Sequence, residues 1–437
     1  MAGVHKWIGK ETFDMKIHNA LLSKGYFPKE LPPVFTTLDF GREADKIVKD
    51  WQKAGVFKRD VKSLGKLPGK KKRSGAFTYN LKAAEAEVFS KPKRGYERRD
   101  VHIVHPLPQA LLSMEVGANW RSIQKWLSRQ TFSEDEIRIS SEYERSIKGI
   151  NFPLHNIKKR YLEATSDWVV TTDITRFYPS IYTHSIAWAA YGKERVKHQL
   201  SNYKGSLADR IDLLVRSCNR NQTVGIPVGP ETSRLIAEII SSRIDQEYLH
   251  SNVVASAEAI DRLQDDWTIG VGSLEEAERV LSTISGLYRS YGLDINGSKT
   301  SIDRIVVERQ SAWISEMGAF LSHRSGRLVG MRLREFLDLA LTLQSQNPSA
   351  QVVSYALSVV DNMRIDHGDV PTVESFLIRS AVVAPISLDR ICRVILDLQN
   401  RTGALSAKRI GGRFIRLAEV AIEKGHTYEV IWLLYTL

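Results

Sequence analysis

Cysteine is nearly absent: the 437 residues hold two, Cys218 and Cys392. Neither has the spacing of a zinc site, and two thiols make no disulfide framework, so a reducing cytoplasm is the expected setting. Long apolar runs are missing as well. Nothing is long enough to span a bilayer, and Met1–Lys10 carry no signal-peptide pattern, so no membrane partner is expected. Histidine pairs at helical ligand spacing are also wanting. His102 and His105 stand three apart on a segment that reads as strand running to a turn at Pro106, which excludes an i,i+4 metal site there. Acid, finally, falls short of base. Lys and Arg number 62 against 50 Asp and Glu, a formal net charge of +12, and the sequence pI is about 9.5. That balance favours a polyanionic partner, nucleic acid first. The length exceeds what one compact core organises, so two or three domains are expected.

The stretch that organises the rest is Trp168–His184, WVVTTDITRFYPSIYTH. A β-branched apolar run predicts a buried strand. Asp173 stands near its end, ahead of Phe177-Tyr178 and a break at Pro179-Ser180. A carboxylate at the end of a core strand is costly unless it is paired or holds a cation. Further on, Gly225, Pro227, Gly229 and Pro230 make a loop that no regular element accommodates. It feeds an amphipathic helix from Glu231, with Leu235, Ile236, Ile239, Ile240 and Ile244 on the buried face. Glycine there lets backbone approach a ligand closely. In AIDRLQDDWTIGV, two alternating runs flank Gln264-Asp265-Asp266, which predicts a hairpin with the acids at its turn. Ser273 and Glu276 open a helix with a capping box, closing at Gly292. A short strand, an Asn296-Gly297 turn, Lys299 and a second strand follow.

Elsewhere the pattern is simpler. The prolines Pro28, Pro32 and Pro33 predict an ordered loop, and a helix is expected from about Gly41 to Gly55. The Gly- and Lys-rich run from Lys62 to Arg73 includes Lys70, Lys71, Lys72 and Arg73, and with Arg94 it forms the candidate contacts to a phosphate backbone. From about Leu333 helical periodicity continues to the end, with helices expected near 333–345, 349–363, 370–382, 387–400 and beyond Lys408. The uncapped apolar face of GHTYEVIWLLYTL leads us to expect that the natural chain continues past Leu437.

Asp173, the Gly225–Pro230 loop and Asp265-Asp266 thus come in order, each at a strand end. Carboxylates brought together from separate strands repel unless divalent cations bridge them. Two magnesium or manganese ions held by such oxygens form the arrangement for in-line phosphoryl transfer.

These residues resemble a reverse transcriptase. Asp173 with FYPSIYTHS is similar to motif A of that family, and GIPVGPETS to motif B. LQDD stands where the family has a Tyr-x-Asp-Asp turn, GLDINGSKT resembles motif D, and SAWISEMGAF corresponds to the motif E hairpin. The likeness covers roughly residues 140 to 330, and the GYFPKELPP and FYPSIYTHSIAWA segments are most similar to the bacterial defence-associated, abortive-infection (AbiK-like) branch. The resemblance implies an α+β fold: fingers with an N-terminal extension (1–160), a palm (161–330), and an all-α helical-repeat domain (331–437) in place of a thumb. It implies that Asp173, Asp265 and Asp266 ligate metal, that Tyr178 stands against the sugar's 2′ position, and that Ile174 and Lys299 serve the nucleotide. Gly225, Ile226, Pro227, Gly229, Pro230 and Ser233 would line the nascent base pair and template. Its expected partners are dNTPs, a non-coding RNA or the protein's own DNA product, and a second copy of the chain. Two departures, Leu263-Gln264 for Tyr-x and Val228 for the usual Gln, fall where primer terminus and template are positioned. Copying of an RNA, untemplated synthesis and priming from a tyrosine all stay open. So do a catalytically silent nucleic-acid scaffold of this fold and a mobile-element (retron or intron) enzyme.

Overall fold

A computed structural model describes residues 16–61, 76–93, 97–133, 135–251, 259–304, 312–322 and 327–437. The basic candidates Lys70, Lys71, Lys72, Arg73 and Arg94 lie outside these residues. Two compact units divide the chain. One is drawn from Met1–Pro28, Thr36–Glu87 and His102–Val306, the other from Lys29–Phe35, Val88–Val101 and Val307–Leu437.

Strands form where the sequence alternates or runs apolar. Lys58–Asp60 (β1) pairs with Thr78–Asn80 (β2), and Glu87–Pro92 (β3) with Arg98–Ile103 (β4). The sheet that matters for chemistry has four antiparallel strands: Trp168–Thr172 (β5), Ile260–Leu263 (β6), Asp266–Val271 (β7) and Ser301–Arg304 (β8), in the order β6-β7-β5-β8. The β-branched run of β5 sits at its centre, flanked by β7 and β8. The helices Phe152–Thr165 and Leu274–Ser290 pack against it. Ser273 caps the latter helix by accepting from the Glu276 N–H at 3.2 Å, as the capping box predicts.

Helix Glu231–Leu249 runs through the core with nearly every turn buried, Ile239, Ile240 and Ile244 among its fully enclosed residues. Around it one continuous apolar cluster joins Val170, Phe177, Ile226, Trp267, Ile269 and Tyr288. At about 25 cal/mol per Å² of apolar surface, such burial is the main source of stability. Apolar residues recur at helical spacing from Pro108 to Leu127, and they form two helices broken at Asn119, Pro106–Ala118 and Trp120–Leu127.

The other unit is helical through Gly330–Gln346, Val352–Asp361, Val370–Val383, Leu388–Thr402, Ala407–Glu423 and Thr427–Thr436. Its segments distant in sequence are tied together. Arg98 makes a bidentate pair with Glu429 (2.8 and 2.6 Å), and the fully buried Trp432 donates its Nε1–H to the Glu30 carbonyl at 2.8 Å. One expectation is corrected here. SAWISEMGAF is not a hairpin, because Ala312–Ser322 is a helix. Trp313, Met317 and Phe320 recur at i, i+4 and i+7 with no turn dipeptide between them. Met317 is fully buried, Trp313 lies 6.0 Å from Tyr355, and Phe320 lies 5.8 Å from Phe336, so the helical period wins. No helix among the described residues is long and apolar enough to cross a membrane.

Candidate active site

Strand register builds the site. In β5 and β7, Trp168 lies opposite Val271 and Thr172 opposite Trp267. In β5 and β8, Trp168 lies opposite Arg304 and Thr171 opposite Ser301. Continuing both registers to residue 173 sets Asp173 across from Asp266 on one side and Lys299 on the other. The side chains agree: the hydroxyls of Thr172 and Thr300 are 2.9 Å apart, and the Lys299 ammonium pairs with Asp173 Oδ2. The segment after Asp173 is fixed by the Leu293–Asn296 stretch. The Asp173 carbonyl accepts from Asn296 N–H at 2.7 Å, and Thr175 N–H donates to the Asp294 carbonyl at 2.9 Å.

Between β6 and β7 the chain reverses through Gln264, at φ +58°, and Asp265. A non-glycine residue in left-handed backbone costs about 1 kcal/mol. It carries Asp265 round to face Asp173. Burial pushes the Asp173 carboxyl up, but the Lys299 ammonium and hydrogen bonds with Asp265 and Asp266 outweigh that and hold it below the ordinary range. Burial and the charges of Asp266 and Asp173 push Asp265 up to about 8. Asp266, exposed at the lip of the turn, is pushed to about 6 by partial desolvation and by Asp173. Three carboxylates therefore crowd one spot with a single ammonium between them. Hard oxygens under mutual repulsion suit a divalent cation. Among the described residues no group of three or more His, Cys, Asp or Glu side chains forms a ready-made metal cage. Magnesium needs none, since waters and substrate phosphates usually complete its shell around one or two carboxylates.

Tyr178 belongs to a short helical turn, Phe177–Ser180, where the sequence had suggested only a break. Burial first, then the nearby charge of Asp265, raises its hydroxyl well above the usual phenol range, so it stays protonated. Phe177 is core. Ile174 is buried too, its backbone bridged to Ile295.

The glycine-proline loop runs antiparallel along this turn. Gly225 N–H donates to the Ile181 carbonyl at 2.9 Å and Ile226 N–H to the Tyr178 carbonyl at 3.0 Å. Gly225 (φ +88°) and Gly229 (φ +133°) need glycine for conformation, and at Gly229 a Cβ would also sit 2.7 Å from the Pro28 ring. Ile226, Pro227, Pro230 and Ser233 are buried, Ser233 in the first turn of the following helix. The loop is thus an inner wall beside Tyr178, with Val228 and Gly229 its more accessible residues.

Sequence reasoning missed the residues that brace these loops. Arg145 donates to the Phe27 carbonyl at 2.6 Å and pairs with Glu231 at 3.3 Å, fastening the proline loop to the helix start. His102 exchanges backbone and ring hydrogen bonds with Val228 (2.8 and 3.2 Å), a job unrelated to metal. Arg262 lies fully buried under the Asp265-Asp266 turn. A charged residue within the strand IDRL, and Glu238 and Asp245 seven apart on a buried helix face that they share with Ser241 and Ser242, were the available signals.

No protein-family model matches this sequence. Over 207 residues it is 25% identical to the Retron Se72 reverse transcriptase of Salmonella heidelberg, covering 46% of this chain. The chain spans about half of that relative, 49% of its length. Among solved structures, apo telomerase from Candida tropicalis matches with a TM-score of 0.36 and 11% identity, covering 92% of this chain and 73% of that one. Telomerase from Candida albicans, solved with a TWJ fragment of telomeric RNA, gives a TM-score of 0.35 and 12% identity over 92% of this chain and 64% of that one. At such scores the structural likenesses carry no weight. What the sequence similarity supports is distant kinship with reverse transcriptases as a class, without singling out the AbiK-like branch.

Proposed function

We propose that this chain is a reverse-transcriptase-type nucleotidyltransferase that adds deoxynucleotides to a growing 3′-hydroxyl, of the abortive-infection (AbiK-like) kind and acting in antiphage defence. The observation that carries the reading is the Asp173 carboxylate at the end of β5, paired with the Lys299 ammonium and hydrogen-bonded with Asp265 and Asp266 of the adjoining hairpin. In this reading Asp173, Asp265 and Asp266 hold two magnesium or manganese ions. Bound there, such ions supply Lewis-acid charge against the hydroxyl and the phosphates. Tyr178, held protonated beside Asp265, sets the space available at the sugar's 2′ position. The Gly225–Pro230 loop backs the nascent base pair, and Lys299, released from Asp173, meets the departing pyrophosphate. The fingers, palm and thumb-replacing helical domain follow the same scheme, and the positive charge of the chain suits an RNA template or DNA product. Self-association belongs to the proposal too.

A retron enzyme is the second reading, favoured by the 207-residue likeness to the retron reverse transcriptase. The unbroken series of helices from Gly330 to Thr436 favours the first.

Purified protein incubated with magnesium and labelled dNTPs is expected to incorporate label, and the Asp265→Ala, Asp266→Ala double variant to lose it. Equal incorporation by both would sink the assignment. Sequencing the nucleic acid that co-purifies with the chain reveals template and product together, and so bears on which of the two readings holds.

A further inference from the structure

Resting on that reading of the site, we infer that Arg262 is a positioning residue that locks the Asp265-Asp266 turn to the helix carrying the glycine-proline loop. Its guanidinium has five N–H donors, and all five are used. Nε donates to Asp245 Oδ1 at 2.7 Å. Nη2 donates to Asp245 Oδ2 at 2.8 Å and Glu238 Oε1 at 2.6 Å. Nη1 donates to Glu238 Oε2 at 3.2 Å and to the Gln264 carbonyl at 2.7 Å. Four bonds thus reach two carboxylates on one face of helix Glu231–Leu249, about two turns apart, and the fifth reaches the residue directly before Asp265.

That fifth bond falls on the strained point of the turn, since Gln264 is the residue in left-handed backbone. The assembly is dry: Arg262 and Asp245 are fully buried and Glu238 nearly so. Asp245 is fixed further by the Thr131 N–H at 3.2 Å, and the Arg262 N–H donates to the Phe132 carbonyl at 3.0 Å. A buried ion triad contributes little net stability compared with apolar packing. What it supplies is geometry, and a planar fork is the shape that supplies it. Any displacement of the helix that starts at the base-pair loop is passed through two carboxylates and one guanidinium to the backbone holding the catalytic acids.

The test is Arg262→Lys, which keeps the charge but has three donors and no fork, with Glu238→Gln as a milder variant that leaves Asp245 and Gln264 in place. Hydrogen exchange reads the geometry without reference to activity. Exchange of the turn amides is expected to rise about tenfold in Arg262→Lys and about threefold in Glu238→Gln, while β8 amides stay at wild-type rates. Incorporation kinetics are expected to show kcat reduced about 10- to 100-fold with KM for dNTP within about twofold, the split expected when alignment is lost and ground-state binding is kept. Wild-type exchange at the turn in either folded variant overturns the inference, and so does a wild-type kcat in an active enzyme. If wild-type protein incorporates nothing, the polymerase reading has failed, and exchange alone decides the role of Arg262. If Arg262→Lys does not fold, Glu238→Gln decides both measurements.

Discussion

Asp265 shows how a candidate metal ligand opposes the fold that holds it. Its carboxyl keeps a proton up to about pH 8 in the folded chain, whereas in the unfolded chain it releases one near 3.8. A group whose folded pKa is raised this way binds more protons folded than unfolded, so stability falls as pH rises from about 4 towards 8. Asp265→Asn removes the repulsion along with the acid. We expect metal-free Asp265→Asn to melt about 2–6 °C above wild type at pH 8, with the gap closing as pH falls towards 5. Thermal scans across that range check it, and a gap that widens on acidification would contradict the account. Added magnesium should raise the melting point of wild type more than that of the variant, because the variant has one carboxylate fewer to neutralise. The three aspartates were legible in sequence because each stands at the end of an apolar strand or in a turn between two. Arg262 was not, since a strand arginine discloses its partners only when a distant helix supplies them.

At the scale of elements, the hairpin β6–β7 is held on both sides by opposite means. Arg262 faces the core helix, and its neighbour Asp261 faces helix Phe152–Thr165, where His155 lies between Asp261 (3.0 Å) and Asp135 (2.8 Å). Burial lowers the His155 pKa, but hydrogen bonds and charge from Asp261 and Asp135 outweigh it and leave it raised above 6.5. The stabilisation is therefore complete below about pH 6.5 and is lost as pH rises through the folded value. His155→Gln should cost about 3 kcal/mol at pH 6 and much less at pH 9, read from denaturant unfolding at both pH values. A cost independent of pH would mean that His155 acts by packing alone. The hairpin, the capped helix after it and the C-terminal helices follow from local signals: alternation, turn residues and helical period. Ala312–Ser322 was misread because family order stood in for periodicity, which already placed Trp313, Met317 and Phe320 on one helical face.

Across the whole molecule, charge and helix content were readable from composition and pattern, whereas the assembly of the second unit was not. Residues 29–35 and 88–101 join the C-terminal helices through contacts such as Arg98–Glu429 and Trp432–Glu30, and contacts between residues this far apart leave no trace in any short window. Trp432 is the anchor. It is fully buried, and Arg393 lies over its ring at 5.2 Å. Trp432→Ala should cost about 3–5 kcal/mol and split calorimetric unfolding into two steps, the C-terminal unit melting first. A single transition shifted as a whole would show that the two units unfold together.

The chain crosses between its two units five times, after Pro28, Phe35, Glu87, Val101 and Val306. A ribosome therefore releases strand β3 long before the helix Thr427–Thr436 that it must meet. At about 5–20 residues per second, the 334 residues between Pro92 and Thr427 take roughly 17–70 s to emerge. Only in the later part of that interval, once Val306 has emerged, does the first unit have all its sequence and the means to complete its sheet. Ser90 and Arg98 of the hairpin β3–β4 wait throughout for Thr427 and Glu429. The first unit's sequence is complete once Val306 has emerged, whereas the second must wait for the helix Thr427–Thr436.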